Sequence, residues 1–186
     1  KEVSLAKRCE IANGIPGLNL FVSLHSNAAG SSGWSSASGW SEYIYGPGGD
    51  REKAAQDILA AVKAAGITVR STPIVYDPGL YVLKHTVAPA VLLEQGFHTN
   101  QGDVANLKDA AYRQRLAEAE AKGILTYLGI PWKEDTANTD FERAIQWVRE
   151  NGIMLGNTDG DMMLDQPVTR KQFAVMLYRY HEKFGR

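Results

Sequence analysis

Apolar positions along the chain switch between the period of a helix and that of a strand. Leu5, Cys9 and Ala12 recur at helical spacing, so residues 1–13 read as the end of a helix. "NGIPG" breaks it, and "LNLFVSLH" follows as a continuous apolar run that predicts a buried strand. "GSSGWSSASG" (30–39), rich in Gly and Ser, predicts a surface loop, and "SEYIYG" (41–46) alternates as a strand does. A helix is expected over 50–66, with Asp50 as its cap, a stripe of Ala54, Ile58, Ala61 and Ala65, and Gly66 at its end. "ITVRSTPIVYDPG" carries extended segments and a turn, and "LYVLKHT" (80–86) and "AVLLEQG" (90–96) read as further strands. A long helix over 109–129 places Tyr112, Leu116, Ala119 and Gly123 on one face. Strands alternating with helices in this way predict an α/β fold, a mostly parallel twisted sheet flanked by helices on both faces.

The pattern changes at residue 130. "IPWKEDTANT" is polar and opens near a proline, which predicts a linker over 131–139. Residues 140–186 then read as a small C-terminal helical module, two helices around a loop. Thr139 with Glu142 and Thr169 with Gln172 are candidate capping boxes for the two helices. The acidic "NTDGD" between them invites a calcium loop. Counting from Asn157 puts Met162 at the sixth position and Val168 at the twelfth, where such a loop needs glycine and glutamate, so a turn is expected.

Composition narrows the function. The 186 residues are 44% hydrophobic and 22% charged, with a net charge of −1. This balance suits a soluble globular chain and gives no electrostatic footprint for nucleic acid. No apolar run approaches the roughly 20 residues of a membrane span. Cys9 is the single cysteine, which excludes a disulfide framework and a thiolate zinc cluster. The chain opens at Lys1 with neither methionine nor a leader-like apolar segment, as a piece of a longer protein does.

Two ionisable residues stand where predicted strands run out. His25 closes "LFVSLH", and Glu94 follows the apolar "AVLL" and precedes a glycine. Ligands of open α/β sheets bind at the carboxyl ends of strands, so the two can face one crevice. A neutral imidazole there suits zinc, and a carboxylate beside a water suits a general base. On the residues alone His25 remains a structural residue, a base or a metal ligand. Trp34 and Trp40, in and after the Gly/Ser loop, are candidates to stack on sugar or peptide. Ser35 lies in no G-x-S-x-G elbow, and "GPGGDREK" lacks the lysine followed by Ser/Thr of a phosphate loop.

Four segments together carry a resemblance. They are Leu5, Arg8, Ala12 and Asn13; Ser23, His25, Asn27 and Ala28; Val82 and Leu83; and Glu94, Gly96, Phe97, Thr99 and Asn100. In order and spacing over residues 1–129 they resemble the zinc-dependent N-acetylmuramoyl-L-alanine amidases of the type-3 family. The resemblance implies hydrolysis of the amide between N-acetylmuramic acid and L-alanine in peptidoglycan. It implies His25 as a ligand to a zinc cofactor and Glu94 as the catalytic glutamate that moves the proton. Arg8, Asn27, His98 and Asn100 become candidate substrate contacts, although Arg8 and Asn13 also suit a role in holding the helix-to-strand connection. Family members carry two more zinc ligands, a histidine and a glutamate, upstream of the helix that opens here. No such segment is present in the sequence, and neither His85 nor His98 matches a ligand position. Residues 1–130 are therefore expected to be a catalytic domain lacking its first strand and helix.

Residues 140–186 resemble one S-layer-homology repeat through Ala144-Ile145, Gly152-Ile153, Gly156 and Val168-Thr169-Arg170. That resemblance implies a secondary cell-wall polymer as a partner beside peptidoglycan, and a location at the bacterial wall or in a phage lysin. The competing expectations are a non-catalytic wall-binding remnant and a zinc deacetylase or peptidase using the same two residues.

Overall fold

The computed structural model describes residues 3–30, 33–133, 137–158 and 160–185, with backbone only for 137–140. Two compact units divide the chain, Lys1–Trp132 and Lys133–Arg186.

The first unit runs α1 (Leu5–Asn13), β1 (Phe21–Asn27), β2 (Trp40–Ile44), α2 (Gly49–Ala64), β3 (Val69–Tyr76), α3 (Tyr81–His85), β4 (Ala90–Phe97), α4 (Gln101–Lys108) and α5 (Ala110–Tyr127). Its strands form one sheet in the order β1-β4-β2-β3. β1 pairs with β4 and β2 with β3 in parallel, while β2 runs antiparallel to β4. The sheet is thus mostly parallel, as the alternation of elements predicts.

Strand periodicity explains the two cores. Successive residues of β4 point to opposite faces. Val91 and Leu93 join a cluster with Trp40 and Ile44 of β2, Ile58 and Val62 of α2, and Leu116 and Ala119 of α5. Ala90 and Leu92 join the other cluster, with Cys9 of α1 and Val82 and Leu83 of α3. Each fully buried aliphatic side chain such as Ile58 or Leu93 contributes roughly 2–3 kcal/mol. α5 lies so close to α2 that a β-carbon on Gly123 would collide with the backbone of Ile58.

Four local expectations are corrected. Residues 80–86 hold no strand: 81–85 form α3, with Lys84 N–H donating to Leu80 O at 3.1 Å. Val82 and Leu83 are both buried in one cluster, and consecutive residues reach one side from a helix but not from a strand. β1 is not buried. It lies at the sheet edge, only Ser23 of it is buried, and Leu24 is 60% exposed. Asp50 does not cap α2: Gly48, with φ of 84°, holds that position, and Glu52 accepts from its N–H. Trp40 is 1% exposed inside the core, so it has no face to offer a sugar, whereas Trp34 is exposed. α4 is a helix that the hydrophobic pattern did not predict. Asn100 starts it, its side-chain oxygen accepting from Asp103 N–H.

The second unit holds α6 (Ala137–Glu150) and α7 (Arg170–Phe184). Thr169 and Gln172 form the reciprocal capping box of α7. The other proposed box rests on Thr139, whose side chain lies outside the described residues. α6 begins at Ala137, two residues earlier. Trp147 stacks on Phe184 with ring centroids 5.4 Å apart. In "NTDGD", Asn157 Oδ1 accepts from Asp161 N–H at 3.0 Å, closing a turn; Asp159 lies outside the described residues.

Candidate functional site

Strand register brings the two ionisable residues together. β1 and β4 run parallel with His25 directly opposite Glu94. Alternation from Phe21 and Leu92, both in the α1–α3 cluster, puts His25 and Glu94 on that same face. Both stand near the carboxyl ends of their strands, where an open sheet presents a crevice.

Their environments differ. His25 is exposed, and its Nε2 lies 2.9 Å from Ser23 Oγ, two residues back on the same face. Glu94 is half-buried. Burial pushes its carboxyl up to about 7, and its Oε2 has no hydrogen-bond partner among the described residues. A carboxyl poised there exchanges a proton readily near neutral pH, which a general acid–base needs.

Each of the other expected contacts is held by hydrogen bonds of its own. Asn27 donates from Nδ2 to the Tyr43 hydroxyl at 3.3 Å and accepts from Ala28 N–H at 2.8 Å. His98 is exposed, its Nδ1 within 3.1 Å of both the hydroxyl and the carbonyl of Ser26. Asn100 Nδ2 donates to Ser35 O at 3.0 Å while its oxygen caps α4. Thr99 Oγ1 accepts from Ala29 N–H at 3.0 Å. The segment after Glu94 thus stitches β4 to the loop before β2. Arg8 lies on α1 and donates from Nε to Val3 O. Asn13 donates to His85 O and accepts from Val87 N–H, joining the end of α1 to the end of α3. His85 itself lies against the Tyr81 ring, centroids 4.2 Å apart.

Asp103 takes a part that the sequence did not disclose. Its Oδ2 accepts from Phe97 N–H at 2.8 Å and from Gly39 N–H at 2.9 Å, fixing the end of β4 and the start of β2. Gly96, at φ of 132°, turns its backbone against this carboxylate.

The opposite face hides an acidic pair. Glu42 is fully buried, neither carboxyl oxygen has a partner among the described residues, and burial beside Glu120 pushes its carboxyl up to about 9. Glu120 on α5 is 4% exposed and accepts from Trp40 Nε1 at 2.9 Å and Gln95 Nε2 at 3.1 Å. A signal existed: Glu42 lies two residues from both Trp40 and Ile44, so alternation puts it on their apolar face.

A catalytic zinc site takes three protein ligands and keeps a fourth position open. Among the described residues no group of three His, Cys, Asp or Glu side chains is placed to hold a metal. His25 and the orphaned oxygen of Glu94 offer part of a donor set, which falls short of a complete site.

A family model described as N-acetylmuramoyl-L-alanine amidase matches residues 1–126. The N-acetylmuramoyl-L-alanine amidase CwlM of Bacillus licheniformis is 32% identical over 124 residues, covering 66% of this chain and 45% of that protein. The N-acetylmuramoyl-L-alanine amidase LytC of Bacillus subtilis is 31% identical over 109 residues, covering 59% of this chain and 21% of that protein. The matches therefore span under half the length of these curated relatives. Among solved structures, the catalytic domain of CwlV from Bacillus (Paenibacillus) polymyxa var. colistinus aligns with a TM-score of 0.61 at 31% identity, over 70% of this chain and 69% of that one. An N-acetylmuramoyl-L-alanine amidase from Clostridium difficile 630 also aligns at 0.61, with 28% identity over 69% and 67% of the two chains.

Proposed function

The chain belongs to the N-acetylmuramoyl-L-alanine amidase family, and from that premise we propose that it is a peptidoglycan hydrolase cutting the amide between N-acetylmuramic acid and L-alanine. The observation that carries this reading is the pairing of His25 with Glu94, side by side at two strand ends on one face. Glu94 acts as the general acid–base. Near neutral pH a share of Glu94 is ionised; that carboxylate takes a proton from the attacking water and, as the carboxylic acid, returns it to the leaving L-alanine amine. The hydrogen bond between Ser23 Oγ and His25 Nε2 orients the imidazole beside it.

Zinc is part of the proposal, with His25 as one ligand and two further ligands supplied from outside the described residues. Bound zinc would polarise the scissile carbonyl and lower the pKa of a bound water. Asn27, Arg8, His98 and Asn100 are proposed to border the substrate. The second unit is proposed to hold a secondary cell-wall polymer, which fits a protein working at the bacterial wall, whether its own or a phage's target. No described helix is long and apolar enough to cross a membrane.

One observation favours a second reading. The absence of a three-ligand cluster among the described residues suits a remnant that binds peptidoglycan without cutting it. Incubation with purified muropeptide, with zinc content measured by elemental analysis, separates the two. The hydrolase reading expects new L-alanine amino termini and bound zinc. Retention on insoluble peptidoglycan with neither would establish the remnant.

A further inference from the structure

Glu94 has neighbours on both sides. On β1 it faces His25, and on β2, which runs antiparallel to β4, it faces Ser41. Tyr43 of β2 packs in the α1–α3 cluster, so by alternation Ser41 points to that same face, the face of Glu94. Ser41 is fully buried, and its Oγ has no hydrogen-bond partner among the described residues. Glu94 Oε2 is likewise buried and unpartnered.

Two orphaned polar atoms on directly opposed residues are informative. A buried hydroxyl or carboxyl oxygen without a partner costs about 1–3 kcal/mol. Residues directly opposite across antiparallel strands have β-carbons about 4.5–5.5 Å apart. A serine hydroxyl turned about χ1 and a glutamate carboxyl turned about its last torsion meet within that span. One contact then satisfies both atoms. The other side of the pair already shows the same device, since Ser23 holds His25 at 2.9 Å.

We propose that Ser41 is a positioning residue for Glu94, its hydroxyl donating to Oε2 and so aiming the other carboxyl oxygen at the reacting water and the leaving amine. The inference rests on the amidase reading for its catalytic consequence, but not for the contact itself. A donor on the buried oxygen stops the carboxyl from rotating. It also withdraws that oxygen from the proton transfer, so a single oxygen faces the crevice.

The test has two arms. In muropeptide hydrolysis, Ser41→Ala is expected to lower kcat roughly ten- to a hundredfold, the usual effect of losing a partner that orients a catalytic group, with KM unchanged. Ser41→Thr, which keeps the hydroxyl, is expected to restore most of kcat. An unchanged kcat in Ser41→Ala, or a rise in KM alone, overturns the proposal. The second arm needs no turnover. A high-resolution crystal structure of the protein should show Ser41 Oγ within hydrogen-bonding distance of Glu94 Oε2. A hydroxyl bonded elsewhere would sink the idea. If the wild-type protein cuts no muropeptide, the amidase reading falls while the crystal structure still decides the contact.

Discussion

The two faces of one sheet treat glutamate in opposite ways. Glu94 and Glu42 stand on neighbouring strands, and among the described residues one carboxyl oxygen of Glu94 and both of Glu42 lack a partner. Glu94 is half-buried at a strand end beside an exposed histidine and is lifted only to about 7. Glu42 is sealed against α5, beside a second acid, and is lifted to about 9. Partial burial tunes a carboxyl for proton transfer near neutral pH, whereas full burial keeps it neutral and chemically silent. A shifted carboxyl therefore points to function only where a crevice reaches it.

The comparison breaks most visibly at Glu94. Glu94→Gln is expected to cut muropeptide hydrolysis by roughly 10²–10⁴-fold, with the thermal unfolding midpoint preserved, as measured by released amino termini and calorimetry. Loss of folding together with activity would make Glu94 structural like Glu42.

Glu42→Gln should act on stability instead. A carboxyl whose folded pKa is raised binds its proton more tightly folded than unfolded. Its contribution is fully present below the unfolded value of 4.5 and is lost as pH rises toward about 9. The wild-type protein should lose up to roughly 1.4 kcal/mol per pH unit in that window from this one group. Glu42→Gln should flatten the slope in urea melts at pH 6 and pH 9 while hydrolysis at neutral pH continues. A slope left unchanged by the substitution would mean Glu42 is ionised in the fold.

Gly123→Ala sharpens the sealed side. The added methyl meets the Ile58 backbone, so a loss of about 1–3 kcal/mol is expected in denaturant melts. The smallest effect belongs to Trp40→Phe. It removes the Nε1 donor to Glu120 and should cost roughly 1–2 kcal/mol, with little change in hydrolysis.

Much of the crevice was legible in the sequence because strand ends announce themselves. An apolar run closing on His25, and another closing on Glu94, put both groups at carboxyl ends before any register was known. Their pairing was not legible, since it rests on about seventy residues of intervening chain. The error at 80–86 has a plain cause. Val82-Leu83 is a short apolar pair that suits strand or helix, and only its shared burial under α1 decides. Ser41 was invisible for another reason: its importance comes from an antiparallel neighbour in a sheet expected to be mostly parallel.

That reversed strand has one more consequence. Because β2 runs against β4, its beginning, not its end, lies beside Glu94. The segment before β2 is therefore the one that leads in beside Glu94. It presents the exposed Trp34 and is clipped to the end of β4 by Ser35 N–H to Thr99 O at 2.7 Å and by Gly39 N–H to Asp103. For an engineer this is an interchangeable part. Residues 36–38 can be exchanged between the fixed points at Ser35 and Gly39, each of which is held by its own backbone N–H. On the proposed reading, such an exchange alters substrate preference while β1 and β4 stay untouched.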